Sequence, residues 1–137
     1  HAQAYATWGA SAHAAASRAL RSEMGVMMGM QADMNVVGGA SKNATCLGCH
    51  ATGHDAPADQ RGPGFRILQG VGCEHCHGPR AAHAAAMRAG GPSGLQPELT
   101  SGGQTKNCQV CHRQKRSHEA LKRPPFDQSA AWHRVAH

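Results

Sequence analysis

Three copies of one pentapeptide pattern, CxxCH, consume all six cysteines of this 137-residue chain: Cys46-Leu47-Gly48-Cys49-His50, Cys73-Glu74-His75-Cys76-His77 and Cys108-Gln109-Val110-Cys111-His112. The spacing has a chemical reason. Two thiols separated by two residues reach the two vinyl groups of one porphyrin, and the adjacent histidine then lies under the iron. CxxCH is therefore the pattern of covalent c-type haem attachment. The expectation is three haem c groups, on Cys46/Cys49, Cys73/Cys76 and Cys108/Cys111, with His50, His77 and His112 as proximal ligands. The axial ligands and the surroundings then set each potential.

Two plainer readings compete. A CxxC pair can be a redox dithiol, and Cys46, Cys49, Cys73 and Cys76 could form an all-thiolate zinc site. Neither explains why histidine follows the second cysteine in all three motifs, with no cysteine left over.

The remaining composition suits a domain built on cofactors. The length is that of a single domain, residues 1–137. The chain has 17 glycines and only five aromatic residues, Tyr5, Trp8, Phe65, Phe126 and Trp132, which is thin material for a core made of side chains alone. Haem macrocycles, large flat apolar bodies wrapped by short helices and loops, would supply that core. The expected fold is mainly α with extensive irregular loops and little or no β.

The formal charge of +6 and pI near 9.3 invite a nucleic-acid reading. The cofactor changes that arithmetic, because three haems carry up to about six propionate charges that offset the excess. Arg61, Arg66, Arg80 and Arg113, close to the motifs in sequence, are candidate propionate partners. The basic stretch 113–123 reads as a solvated or propionate-facing surface, with docking to an acidic partner as the alternative. No apolar run approaches the roughly 18 residues a membrane span needs. Covalent haem attachment takes place outside the bacterial cytoplasm, and the chain begins at His1 without a charged and apolar leader. A periplasmic or extracellular mature form, its signal peptide removed, is expected.

Along the chain, Ser11 is expected to cap an Ala-rich helix running to about Met24 and carrying His13. Residues 51–72 read as a loop, with a short strand between Phe65 and Leu68. Pro79 opens a helix carrying His83, and Gly90-Gly91 ends it. Residues 91–107 form a Gly/Pro/Ser-rich surface loop. Asp127 caps a terminal helix, with Phe126 as a staple against Ala131, and His133 and His137 share its face.

Eight of the 11 histidines are not proximal ligands: His1, His13, His54, His75, His83, His118, His133 and His137. A haem that only passes electrons needs a sixth ligand, so some of these are expected to be recruited. His75, inside its own motif, reads as a bystander, and His54 and His118 lie in or near loops. Met24, Met27, Met28, Met30 and Met34 form a dense run. These thioethers are axial-ligand or Cu(I) candidates, although gap-filling against haem faces is the simpler role. The amine and imidazole of His1 could form a copper-binding brace.

Gly70-Val71-Gly72-Cys73-Glu74-His75-Cys76-His77-Gly78-Pro79 followed by His83 resembles the GVxCExCHGP…H block of the cytochrome c-554 family, multihaem cytochromes related to hydroxylamine oxidoreductases and octahaem tetrathionate reductases. Trp8…Ser11-Ala12-His13-Ala14, Asn43-Ala44-Thr45 before Cys46, and Phe126-Asp127…Trp132…His137 resemble further segments of the family in the same order. The family's first haem motif is missing: the position of its histidine matches His1, without the two cysteines. The resemblance implies that His13 is the distal ligand to the haem on Cys73/Cys76 and that His137 serves the haem on Cys108/Cys111, with His133 as rival. It also implies that the haem on Cys46/Cys49 has an open sixth position, and that the histidine matching His83 served the missing haem. Counting points the other way, since a released His83 is free for the iron on Cys46/Cys49 or for one in an adjoining subunit.

The function expected is electron transfer by a trihaem c-type cytochrome relaying electrons between redox partner proteins, with no nucleic-acid role. Two alternatives stand beside it: reduction of a small nitrogen-oxide type molecule at an open haem, and a haem-chain subunit of a larger complex or filament.

Overall fold

In the computed structural model the described residues are 1–21, 39–90 and 105–135. They form short helices joined by irregular turns, with no strand among them. The helices are α1 (Ala2–Gly9), α2 (Ala44–His50), α3 (Cys73–His77), α4 (Ala81–Arg88), α5 (Thr105–Cys111), α6 (Arg116–Ala120) and α7 (Gln128–Trp132). Tight 3-10 turns at Ala16–Arg21, Ala40–Lys42, Ala58–Gln60 and Ile67–Gln69 link them. The mainly α, loop-rich class expected from the sequence is the one observed. The expected strand between Phe65 and Leu68 is absent, and Ile67–Gln69 is a helical turn instead.

The α-helix expected from Ser11 to about Met24 is not formed over its described residues. α1 occupies Ala2–Gly9, residues 11–15 are turns, and the chain resumes as a 3-10 helix at Ala16. The reason lies in the carbonyl of His13. It accepts the Val71 amide at 2.9 Å and the Ala16 amide at 3.1 Å, a tight i+3 bond and a long-range bond where an α-helix would use i+4. Ser11 is then no cap, and its buried hydroxyl makes no hydrogen bond.

The sequence signals around the later helices are obeyed. Asn43 accepts the Cys46 amide at 3.2 Å and caps α2. Asp127 accepts the Ala130 amide at 3.0 Å and caps α7. α4 runs between Pro79 and Gly90, whose φ of +73° closes it in a conformation that favours glycine.

The side-chain core is small. Leu20, Ala40, Cys46, Leu47 and Ala51 form one buried cluster, with Ile67 and Leu121 packed against it, so the first motif's leading cysteine is part of the core. Tyr5, Val110 and Trp132 are exposed. The run from Met24 to Met34, the loop expected over 91–107 up to residue 104, and His137 lie outside the described residues.

Candidate haem sites

Each motif sits on or at the end of a short helix. α2 contains Cys46, Cys49 and His50, and α3 contains Cys73, Cys76 and His77. α5 carries Cys108 and Cys111, and its ladder reaches His112, whose amide donates to the Cys108 carbonyl at 2.7 Å. Helical spacing puts residues i, i+3 and i+4 on one face. Both thiols and the histidine of each motif are thereby presented together, the arrangement one haem requires.

The three motifs converge. Cys111 lies 3.7 Å from His75 Nε2 of the second motif. Its thiol is pushed up to about 12, first by burial and then by a hydrogen bond with Cys49 of the first motif. Burial likewise raises Cys46, with Cys49 adding to the effect, and raises Cys76, with Cys108 and Cys73 adding. No disulfide joins any two of the six cysteines. Among the described residues no group of three or more His, Cys, Asp or Glu side chains is gathered to hold a metal ion, so the four thiols of the zinc reading are not brought together.

These residues fit covalent haem. Among the described residues the buried side-chain cluster is small, Cys73 lies at the surface, and an open cleft of about 760 Å³, lined by His75, Glu74 and Pro79 but by none of the motif cysteines, lies between α3 and the loop Thr52–Gln60. Just after that loop, Arg61 donates to the His54 carbonyl at 3.1 Å and lies over Phe65, 5.0 Å from the ring centre. Arg66 donates to the Phe65 carbonyl at 2.8 Å. Two of the four arginines offered to propionates, Arg61 and Arg66, are therefore engaged with backbone carbonyls of their own segment.

Histidines meet in pairs. His13 lies against His112, ring centres 5.8 Å apart and planes at 61°. Burial lowers the His13 pKa, and the charge of His75 lowers it further, so His13 stands between the second and third motifs. Burial also lowers His112, followed by the charges of His13, His118 and His50. His112 also stacks on Phe126, with ring centres 3.9 Å apart. His50 faces His118 on α6, with ring centres 6.2 Å apart and planes at 35°. Burial lowers His118, with His50, Lys115 and Arg123 adding. His83 is placed against His1, Nε2 to Nε2 at 3.1 Å with rings stacked at 5.4 Å. His54 pairs with Asp55 at 3.6 Å.

His13 is anchored through its backbone. Gly70 and Val71, in the loop before the second motif, close on its carbonyl, and Trp8 Nε1 donates to the Val71 carbonyl at 2.7 Å. Trp8, His13 and the Gly-Val pair, separate in sequence, are one structural unit.

Residues 1–78 match the family described as cytochrome c554 and c-prime. The chain belongs to that family. It is therefore a c-type cytochrome, binding haem c covalently. Cytochrome c-554 of Nitrosomonas europaea is 30% identical over 123 residues, covering 77% of this chain and 50% of the relative. The chain thus spans about half the length of that relative. No solved structure matches it. Among the described residues no helix is long and apolar enough to cross a membrane.

Two features escaped sequence reasoning. Nothing marked His118 as the neighbour of His50, because only the tertiary fold brings α6 to α2. The signal for Gly70 was present in the Gly-Val-Gly run, but its target, a carbonyl 57 positions earlier, is not encoded locally.

Proposed function

We propose that this chain, as one domain over residues 1–137, relays electrons through three covalent haems between redox partner proteins outside the cytoplasm. Cys46/Cys49 with His50, Cys73/Cys76 with His77 and Cys108/Cys111 with His112 hold them. The observation that carries the reading is the meeting of all three motifs at Cys111, which reaches both Cys49 and His75. Haem c supplies a one-electron iron couple. The chain's part is to hold three such groups side by side, orient their axial histidines and limit access of water to them.

His13 serves as a distal ligand in this reading. Family position gives it to the haem on Cys73/Cys76, whose motif contains the neighbouring His75, while the His112 ring of the third motif lies beside it as well. His137 is assigned to the haem on Cys108/Cys111. His83, whose Nε2 lies 3.1 Å from that of His1, is the histidine that counting offers as ligand to the iron on Cys46/Cys49 or to one in an adjoining subunit. The periplasmic or extracellular location follows from where covalent haem attachment occurs.

A spectroelectrochemical titration tests the function. A relay takes up three electrons per chain and passes them to a soluble acceptor without consuming a small substrate. Uptake of fewer than three electrons, or steady consumption of nitric oxide or nitrite by the reduced protein, contradicts it.

A further inference from the structure

Resemblance leaves the sixth position of the haem on Cys46/Cys49 open, and counting offers it to His83. The structure brings a different imidazole to that place. His118 faces His50 with ring centres 6.2 Å apart, and His83 is already engaged by His1 at 3.1 Å.

Both members of the His50/His118 pair are held by the fold. His50 Nδ1 lies 2.8 Å from the Ala16 carbonyl. A carbonyl only accepts, so Nδ1 carries the proton and Nε2 is left with its lone pair, the tautomer and second-shell bond of a metal-ligating histidine. Ala16 opens the 3-10 turn whose Leu20 packs in the cluster containing Cys46 and Leu47. His118 is fixed from the other side. Leu121, three residues further on, packs against the same cluster, and Ser117 of the same helix is buried. Residues i and i+3 share a helical face, so the contact that seats Leu121 also turns His118 toward α2.

We propose that His118 is the sixth ligand of the iron carried by Cys46/Cys49, which makes that haem bis-histidine and closes it to exogenous ligands. The proposal rests on the reading that these two cysteines carry a haem. Its consequence is functional: a closed first haem passes electrons, whereas an open one is the place where a small molecule would bind and react.

The test uses the intact holoprotein and three measurements: electron paramagnetic resonance of the oxidised form, carbon monoxide binding by the reduced form, and mass spectrometry of the denatured, digested chain. The native protein should show no high-spin signal from this haem and no carbon monoxide uptake there. His118→Ala should gain one high-spin, carbon-monoxide-binding haem among three, with added imidazole restoring the low-spin spectrum. His118→Met, which keeps a ligand at the position, should stay six-coordinate and shift that haem's potential upward, so the proposal remains testable if the alanine variant folds poorly. His83→Ala should leave this haem low-spin. Three attached haems with an open native site, or with a His118→Ala spectrum identical to native, overturn the assignment alone. A high-spin haem on Cys46/Cys49 in His83→Ala overturns it in favour of His83. A Cys46/Cys49 peptide without haem overturns the underlying reading as well, and only that result does so.

Discussion

Gly70 lies directly under the backbone carbonyl of His13. Its φ is +86°, and a Cβ added there would collide with the His13 carbonyl oxygen and come within 2.9 Å of that of Ala14. The neighbouring Val71 amide donates to the same His13 carbonyl at 2.9 Å. The loop leading into the second motif is therefore the clamp that sets where His13 stands.

Replacing Gly70 with Ala meets both penalties, a left-handed backbone and a backbone-to-backbone clash. The expected cost is about 2–3 kcal/mol. Because the strain falls on His13, one haem should also lose its distal ligand. Denaturant unfolding of the holoprotein measures the first effect, and the appearance of a high-spin signal measures the second. An unchanged midpoint would show that the loop does not clamp this segment.

Trp8→Phe keeps most of the ring and removes only the Nε1 bond to the Val71 carbonyl. The loss should be about 1 kcal/mol, with the haem spectrum near native. Trp8→Ala should cost more and disturb the His13 haem as Gly70→Ala does. A Trp8→Phe variant as stable as the native protein would argue against the hydrogen bond.

Asn43 is the side-chain cap of the helix that carries the first motif. Asn43→Ala should cost about 1 kcal/mol, and Asn43→Asp or Asn43→Ser, which keep an acceptor, should recover most of it. Thermal unfolding of the three variants checks the order.

Much of this arrangement is legible in the sequence where the cause is local. The CxxCH spacing names six cysteines and three histidines without help from the fold. Asp127 caps its helix as read, and Pro79 and Gly90 bracket α4, because caps and breakers act within one turn of chain. The failures share the opposite property. Alanine content alone suggested a helix from Ser11, but the His13 carbonyl is taken by Val71, a residue of a distant loop. His118 was indistinguishable from other surface histidines until Leu121 tied its helix to the core.

Leu121→Ala separates the core's role from the ligand's. Removing this partly buried side chain should cost about 1–2 kcal/mol. It should also raise the high-spin fraction of the haem on Cys46/Cys49 while leaving the other two unchanged. A stability loss without any spectral change would mean that His118 is positioned by other contacts.

The account as a whole depends on three haems bound through all six cysteines, and mass spectrometry of the denatured, protease-digested holoprotein tests that most directly. Thioether bonds survive unfolding, so the account predicts three added haem masses on the intact chain. After digestion, one haem should be found on each peptide containing Cys46/Cys49, Cys73/Cys76 and Cys108/Cys111. A chain carrying fewer than three haems, or any of these cysteines recovered as a free thiol from fully matured protein, would contradict it.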